Sequence, residues 1–305
     1  MDKRNISGNS GKHQIQHPAD KYHNGEFPMQ KQDAPGLQSR MDPVPDCGET
    51  SYTGHERLKG RRALITGGDS GIGRAIAVAF AREGAEVAIN YLDEEQPDAD
   101  SLAGLLKAEG SELTMLPGDL RNVETCRRIV KEAYKRLGGL DILGLNAGVQ
   151  QAAADIAEIT PERVRRTFEV NVYAPLFMAQ AAVPLLPPGA SVIITASAEY
   201  YTPNKLLLDY AASKSAVTAF GVALSKYLLD KGVRVNSVCP GPTWTPLEVS
   251  GGNPDEDIPR HGADTPLERA AQPAEMAGIY VFLASSEASY ITGEIYGITG
   301  GLSGK

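Results

Sequence analysis

The sequence predicts an α/β protein, with a single doubly wound domain of the Rossmann type preceded by an extended N-terminal arm. Three observations support this prediction. Short apolar stretches alternate with longer amphipathic ones over residues 61–305, a glycine-rich turn follows the first apolar stretch, and hydrophobic residues number only 14 among the first 60. Because strands linked by helices pair in parallel and are covered on both faces, we expect a seven-stranded parallel sheet flanked by helices.

The elements of the domain follow from local periodicity. Short runs of apolar residues predict buried strands, and apolar residues at three- and four-residue spacing predict helices. Pro161 suits the first turn of a helix, where its missing N–H costs nothing. The predicted strands are residues 61–66, 86–91, 113–116, 140–145, 191–196, 233–238 and 294–298, and the predicted helices are residues 72–83, 98–109, 122–137, 161–186, 209–230 and 273–284.

Residues 1–59 form a polar arm, and residues 60–305 form the Rossmann-type domain. Within the arm we expect residues 1–25 to be disordered, because they are polar and lack periodicity. Residues 26–59, here called the strap, should be extended and lie on the domain or on a neighbouring subunit, since prolines restrict both themselves and the residues before them. The apolar residues that could anchor the strap are Phe27, Met29, Leu37, Met41, Val44 and Tyr52.

Composition excludes several classes of protein. The formal net charge is −8, from 30 basic and 38 acidic residues, which argues against nucleic acid as a partner. No run of 18 apolar residues could cross a membrane, and the first residues lack the apolar core of a signal peptide. The three cysteines are odd in number and widely spaced, so we expect no disulfide framework, no metal site and a cytoplasmic location.

The turn after the first predicted strand has the composition of a dinucleotide-binding loop. Glycines there allow a tight turn and a close approach of the backbone to a pyrophosphate, whose charge faces the start of the next helix. The turn does not continue into the Gly-Lys-Ser/Thr of an ATP-binding loop. The residues predicted to bind the cofactor here are Gly67, Asp69, Ser70, Gly71, Ile72 and Gly73.

The end of the second strand bears on the choice of cofactor, because an acidic residue there binds a ribose 2′-hydroxyl whereas a basic one favours a 2′-phosphate. The strand ends in Asn90-Tyr91-Leu92 and is followed by the acidic residues 93–95. These acids would repel a 2′-phosphate, so we favour NAD(H). Asn90 is not the usual Asp, and Arg74 is a nearby base that could reverse the preference, so NADP(H) stays possible.

Two Tyr-x-x-x-Lys motifs occur, and only one has suitable geometry for proton transfer. Pro203 prevents an ordinary helix across Tyr201 and Lys205. Tyr210 and Lys214 open a long amphipathic helix, where their spacing places both side chains on one face. An ammonium beside a phenol favours the phenolate and should lower the pKa of the tyrosine.

Ser197 lies 13 residues before this tyrosine, at the carboxyl end of a predicted buried strand. Ligands of doubly wound sheets bind at these strand ends. Ser197 is therefore a candidate donor to a carbonyl oxygen.

Taken together, these motifs resemble the short-chain dehydrogenase/reductase family over residues 60–305. Residues 43–48 of the arm and residues 240–247 resemble the bacterial glucose/ribitol dehydrogenase-like subgroup, which has general-stress members. Leu145 and Thr299 depart from the residues that the family often has at these positions. The resemblance rests on Gly67, Gly71, Gly73, Asp119, Asn146-Ala147-Gly148, Asn171, Ser197, Tyr210, Lys214, Pro240-Gly241 and Gly300-Gly301.

The resemblance implies roles for these residues. Tyr210 would be the general acid/base, Lys214 would lower its pKa and hold the nicotinamide ribose, and Ser197 would steady the substrate oxygen. Asn171 would support a water in the proton relay, and family members usually form homotetramers. The further cofactor-binding residues that it implies are Asn90, Tyr91, Leu92, Asp119, Leu120, Asn146, Ala147, Gly148, Thr195, Pro240, Gly241, Thr243 and Thr245, with Tyr210 and Lys214.

The predicted activity is hydride transfer between a nicotinamide cofactor and an alcohol or carbonyl compound, such as a polyol, a sugar or a small aldehyde or ketone. Residues 242–265, here called the lid segment, are rich in Gly, Pro and acids, show no clear helix, and suit a mobile lid. A non-catalytic dinucleotide-binding stress or sensor protein is the alternative, and an enoyl reductase fits the Tyr–Lys spacing less well. The residues expected to line the pocket are Trp244, Tyr200 or Tyr201, and Glu199 and Glu248, which favour a hydroxylated or neutral substrate.

Overall fold

The computed structural model describes residues 16–302. Seven parallel strands form one sheet in the order β3-β2-β1-β4-β5-β6-β7. This architecture confirms the predicted doubly wound fold. The strands are β1 Arg62–Thr66, β2 Glu86–Tyr91, β3 Leu113–Pro117, β4 Ile142–Leu145, β5 Ser191–Thr195, β6 Arg234–Pro240 and β7 Ile295–Ile298.

Within residues 16–302, eight α-helices connect or follow the strands. None of them combines the length and the apolarity that crossing a bilayer requires. Local signals explain several ends: the Asn122 side chain caps α3, the Thr160 side chain caps α4, and Gly138 ends α3 with a positive φ. The helices are α1 Gly71–Arg82, α2 Gln96–Ala108, α3 Val123–Leu137, α4 Pro161–Phe168, α5 Ala174–Ala182, α6 Leu208–Tyr227, α7 Pro246–Ser250 and α8 Pro273–Ala284.

The core lies on both faces of the sheet. Helices α1, α2 and α8 pack on one face, and α3, α5 and α6 pack on the other. Buried Ala and Val residues of α1 let it lie close to α8. The sheet is therefore covered on both sides, and its strand ends are left for function.

Two predictions differ from the structure by more than the end residues of an element. The expected helix over 161–186 is divided by a π-helical turn, Glu169–Tyr173, between α4 and α5. The lid segment contains the short helix α7, which begins at Pro246. Both differences involve a single turn, too short to produce a periodic pattern.

The strap lies along the domain, with Phe27 and Met41 buried. Met29 and Val44, two of the expected anchors, are 68% and 58% exposed. The predicted disorder of residues 1–25 falls partly outside the described residues. From residue 16 onward the arm is placed against the domain, and the Arg269 guanidinium donates hydrogen bonds to the carbonyl of Pro18.

A buried carboxylate joins the end of the strap to the domain. The Glu83 side chain follows α1, has no exposed surface, and accepts hydrogen bonds from the Tyr52 hydroxyl and the His55 and Arg57 N–H groups. The Arg57 guanidinium also lies 2.7 Å from it. Burial raises the pKa of Glu83, but these hydrogen bonds outweigh burial and lower the pKa to about 2.

Candidate active site

The predicted functional residues converge at the carboxyl ends of the strands. The order of the strands reverses between β1 and β4, which are neighbours in the sheet. Open α/β sheets bind ligands in the crevice at such a reversal. The glycine loop follows β1, Asn146 follows β4, Ser197 follows β5, and Gly241 follows β6.

Tyr210 and Lys214 share one face of α6, as their spacing predicts. Both side chains are buried, and the Lys214 Nζ lies 5.5 Å from the centre of the Tyr210 ring. The same Nζ donates a hydrogen bond of 2.9 Å to the carbonyl of Thr195, at the end of β5. Ser197 lies close enough to Tyr210 to share a hydrogen bond with its hydroxyl. The other motif, Tyr201 with Lys205, lies before α6 begins.

The pKa values in this group differ from the sequence-based expectation. Burial raises the pKa of Tyr210, the hydrogen bond with Ser197 lowers it, and the carboxylates of Glu248 and Glu199 raise it further. The expected lowering of this pKa by Lys214 is therefore wrong for this structure. Burial lowers the pKa of Lys214 itself, to about 8. At neutral pH the site holds a protonated phenol beside an ammonium group.

Asn171 lies in the π-helical turn, which directs its amide toward α6 and the chain after β4. Its Oδ1 accepts from the Val149 N–H, and its Nδ2 donates to the Val149 carbonyl and to the Ser213 hydroxyl, 3.0 Å away. Gly148 passes close to this amide, where an added Cβ would lie 3.2 Å from the Lys214 Nζ. A π-helical turn of this kind often occurs at functional sites.

The glycine loop has the close backbone contacts expected of a dinucleotide cradle. Gly67 and Gly71 have φ values of 59° and 50°, and a Cβ on Gly73 would lie 1.8 Å from the Gly67 carbonyl oxygen. The Asn146 Nδ2 donates to the Gly67 carbonyl, and the Thr195 hydroxyl donates to the Asn146 Oδ1. The loop, the end of β4 and the end of β5 are thus held together.

The residues after β2 and β3 lie together beside this loop. The Asn90 amide is turned inward and donates to the Gly118 carbonyl. The Asp119 carboxylate pairs with Arg121, whose hydrogen bond lowers the pKa of Asp119. Tyr91 is buried in the core on one face of the sheet, Leu92 is half-buried, and Leu120 is buried in the core on the other face.

Of the three acids that follow β2, Asp93 and Glu94 are exposed and Glu95 is partly buried. Glu95 turns back to accept the Leu92 N–H at 2.7 Å, and burial raises its pKa to about 8. Burial also raises the pKa of Asp69 to about 7. Arg74 is not free either, since its Nε donates to Glu49 of the strap at 2.8 Å.

The chain after β6 forms the other end of the crevice. Gly241 packs so closely that an added Cβ would lie 2.8 Å from the Cα of Thr299. The Thr243 hydroxyl donates to the Gly241 carbonyl, and Thr243 and Thr245 are both buried. Pro240 is the last residue of β6.

Trp244 does not line a pocket, so that expectation is wrong. Its side chain is fully buried and stacks on Phe27 of the strap, with ring centres 3.9 Å apart and an interplanar angle of 6°. The Trp244 Nε1 donates to the carbonyl of Pro43. Trp244 instead connects the lid segment to the strap.

Glu199 follows β5 and Glu248 lies in α7, and both carboxylates raise the pKa of Tyr210. Glu248 accepts a hydrogen bond from the Asn253 amide and lies 3.4 Å from the His261 Nδ1. Tyr201 packs against β7, with its hydroxyl 3.5 Å from the Ile295 carbonyl. Within residues 16–302, no group of three or more His, Cys, Asp or Glu side chains is arranged to hold a metal ion.

Sequence reasoning missed several residues that support the site. Gln38 of the strap accepts the Gly71 N–H at 2.8 Å, and the Thr66 hydroxyl accepts the N–H groups of Asn146 and Ala147. The Ser213 hydroxyl accepts a hydrogen bond from the Asn171 amide. The position of Thr66 next to the glycine turn was a usable signal, but nothing in the arm indicates a contact with Gly71.

Comparison with known proteins agrees with this geometry. Residues 67–303 match the family model described as "Enoyl-(Acyl carrier protein) reductase".

The chain belongs to the short-chain dehydrogenase/reductase family.

Among curated short-chain dehydrogenases and reductases, an uncharacterized oxidoreductase of Bacillus subtilis, YhxD, is 55% identical over 94% of this chain and 97% of its own length. The glucose and ribitol dehydrogenase of Daucus carota is 41% identical over 91% of this chain and 97% of its own. The NADPH-dependent aldehyde reductase 1 of Arabidopsis thaliana is 41% identical over 89% and 96%. These matches extend past the domain into the arm, and they confirm the predicted family.

Among solved structures, a short-chain dehydrogenase from Burkholderia cenocepacia in complex with NADP has a TM-score of 0.75 and 31% identity. It covers 81% of this chain and 99% of its own. Its whole length is therefore matched by about four fifths of this chain. The similarity supports an oxidoreductase of this family and gives no support to the preference for NAD(H).

Proposed function

We propose that the protein transfers a hydride between a nicotinamide cofactor and an alcohol or carbonyl compound, with Tyr210 as the general acid/base. The observation that carries the proposal is the buried group of Tyr210, Lys214 and Ser197. This group lies at the carboxyl edge of the sheet, beside a glycine loop that fits a dinucleotide. A bound nicotinamide would supply or accept the hydride.

In this proposal the protein's own side chains bind and protonate the substrate oxygen. Ser197 donates a hydrogen bond to that oxygen, and Tyr210 delivers its hydroxyl proton to it as carbonyl becomes alcohol. The raised pKa of Tyr210 keeps this proton in place at neutral pH, which favours carbonyl reduction. Alcohol oxidation needs the phenolate and is favoured at higher pH.

Lys214 and Asn171 support this proton transfer in the proposal. The Lys214 ammonium stabilises negative charge on the phenol oxygen and holds the ribose next to the nicotinamide. Asn171 is fixed in place by Val149 and Ser213 and supports a water on the path of the proton. Each role is supported by position and by resemblance to the family.

For the cofactor, we propose NADP(H) as the first nucleotide to test. The Arabidopsis relative is named as NADPH-dependent, and the Burkholderia structure contains NADP. The acidic run that favoured NAD(H) exposes only Asp93 and Glu94, because Glu95 turns back to accept the Leu92 N–H. NAD(H) should be tested beside NADP(H), since none of the residues described above near the end of β2 is an unpaired base that could bind a 2′-phosphate.

For the substrate, we propose a neutral aldehyde, ketone, sugar or polyol. Glu199 and Glu248 place two carboxylates near Tyr210, and they would repel a carboxylate-bearing substrate. The relatives named as aldehyde reductase and as glucose and ribitol dehydrogenase fit this class. A cytoplasmic location and a homotetramer remain predictions from composition and from the family.

The decisive experiment is Tyr210→Phe assayed with a panel of aldehydes and polyols. We expect turnover to fall by about 10²- to 10⁴-fold while NADPH binding is retained. Tyr201→Phe is the matched control, since it alters the other Tyr-x-x-x-Lys motif and should retain turnover. Equal activity of Tyr210→Phe and wild type would refute the assignment. Tight cofactor binding without turnover of any compound would favour the non-catalytic alternative.

A further inference from the structure

The strap makes direct contact with the lid segment. Besides the Phe27–Trp244 stack, the Phe27 N–H donates to the Pro259 carbonyl, and the Gln32 N–H donates to the Val249 carbonyl, each at 2.9 Å. These bonds join main chain to main chain, so they fix the backbone path of the lid segment. The Phe27–Trp244 stack fixes one of its side chains. A segment that the sequence suggested to be mobile is held along its outer side.

The strap also contacts the glycine loop. The Gln38 side chain is buried, and its Oε1 accepts the Gly71 N–H, the first N–H of α1, at 2.8 Å. The main-chain N–H groups of Gln38 and Ser39 donate to the carboxylate of Asp98, near the start of α2. The start of the loop-bearing helix is therefore capped by a residue 33 positions away in the chain.

The two contacted regions meet each other inside the crevice. Thr243 and Thr245 flank Trp244, and a Cβ on Gly71 would lie 3.1 Å from the Thr245 Cγ2. A displacement of Trp244 or of Gly71 would therefore displace residues at both expected ends of the cofactor. The strap thus contacts both the lid segment and the glycine loop, and these two regions also contact each other through Thr245 and Gly71.

We propose that the strap is part of the cofactor site, with Phe27 and Gln38 as positioning residues that hold the lid segment and the glycine loop in their binding arrangement. The inference rests on the proposed function, because it assumes that a nicotinamide nucleotide occupies this crevice. Neither side chain touches the cofactor in this proposal. Their effect is to lower the entropy cost of ordering the lid segment and the glycine loop when the cofactor binds.

The test is the dissociation constant of NADPH, measured by fluorescence titration on the full-length chain. Gln38→Leu removes the acceptor of the Gly71 N–H at similar volume, and should weaken binding by about three- to tenfold, as expected for one hydrogen bond. Phe27→Ala removes the stack on Trp244 and should weaken binding by about tenfold or more. Met29→Ala is the matched control, since Met29 lies in the same strap but is 68% exposed.

Three readouts separate positioning from general stability. In steady-state assays the KM for the cofactor should rise by a larger factor than kcat falls, and Phe27→Leu should recover part of the loss. Thermodynamic linkage requires that NADPH slow the amide hydrogen exchange of residues 27–41 in the wild type. Gln38→Leu keeps the proposal testable if Phe27→Ala does not fold.

Two results would overturn the proposal. Folded Gln38→Leu and Phe27→Ala proteins that bind NADPH as tightly as Met29→Ala would show that the strap contributes stability alone. Unchanged exchange of residues 27–41 on NADPH binding would do the same. A wild-type protein that binds neither NADPH nor NADH would instead remove the proposed function, and the strap inference with it.

Discussion

Replacing Lys214 by Met should change how the stability of the protein depends on pH. Lys214 is buried, and burial lowers its pKa from 10.5 to about 8. Between about pH 8 and pH 10.5, Lys214 is mostly deprotonated in the folded protein and mostly protonated in the unfolded chain. Because the unfolded state then binds more protons, Lys214 makes the free energy of unfolding rise with pH in this range.

The size of the effect follows from the two pKa values. The full shift corresponds to about 3.4 kcal/mol, and about 2.5 kcal/mol of it should appear between pH 7 and pH 10. Tyr210, the ionisable neighbour on the same helix face, has a pKa raised above its usual value, so it stays protonated over this range. The difference between wild type and Lys214→Met therefore isolates Lys214.

The assay is urea unfolding at pH 7, 8, 9 and 10, followed by the fluorescence of Trp244, the only tryptophan in the chain. The wild-type free energy of unfolding, relative to that of Lys214→Met, should increase by about 2.5 kcal/mol from pH 7 to pH 10. The loss of the hydrogen bond to Thr195 adds a constant offset and does not change this slope. Parallel pH profiles for the two proteins would refute the reasoning that burial depresses this pKa.

Three further predictions follow from the site and from the end of the strap. Gly73→Ala should abolish NADPH binding in a fluorescence titration, because its Cβ would collide with the Gly67 carbonyl, and retained affinity would contradict the cradle geometry. Glu248→Gln should lower the pKa of Tyr210 and move the pH–rate profile of alcohol oxidation to lower pH, so an unmoved profile would place Glu248 outside the site. Glu83→Ala should lower the free energy of unfolding at pH 7 by about 3–5 kcal/mol, because it leaves the Tyr52 hydroxyl and the N–H groups of His55 and Arg57 without their acceptor. The stabilising contribution of Glu83 should be full above about pH 4.5 and disappear as the pH falls toward 2, which an acid titration of the two proteins checks, with equal acid sensitivity counting against it.

Features of the site with a local pattern were accessible from the sequence. The spacing of Tyr210 and Lys214 determines that they share a helix face, and Gly73 is required by its close contact with the nearby Gly67 carbonyl. The alternation of strands and helices, with right-handed crossovers, predicts a doubly wound sheet. These properties depend on short stretches of chain, so a single sequence contains them.

Features that depend on distant contacts were not accessible. The burial of Trp244 depends on Phe27, which is far away in the sequence. The π-helical turn at Asn171 is only one turn long, so it produces no periodic pattern. The relatives give no support to the NAD(H) preference, and counting acids after β2 could not reveal that Glu95 turns inward to cap Leu92. The direction of the Tyr210 pKa depends first on burial, which the sequence does not show, and the expected pocket residues Glu248 and Glu199 raise it further.

The strap has a consequence for the order in which the protein assembles during synthesis. The strap residues Phe27 and Pro43 are made well before Trp244 and Pro259, to which they bind; Pro43 and Trp244 are 201 positions apart. Closing so large a loop cannot begin before the lid segment leaves the ribosome. The first part of the strap must therefore stay undocked from the lid segment while the first six strands are made.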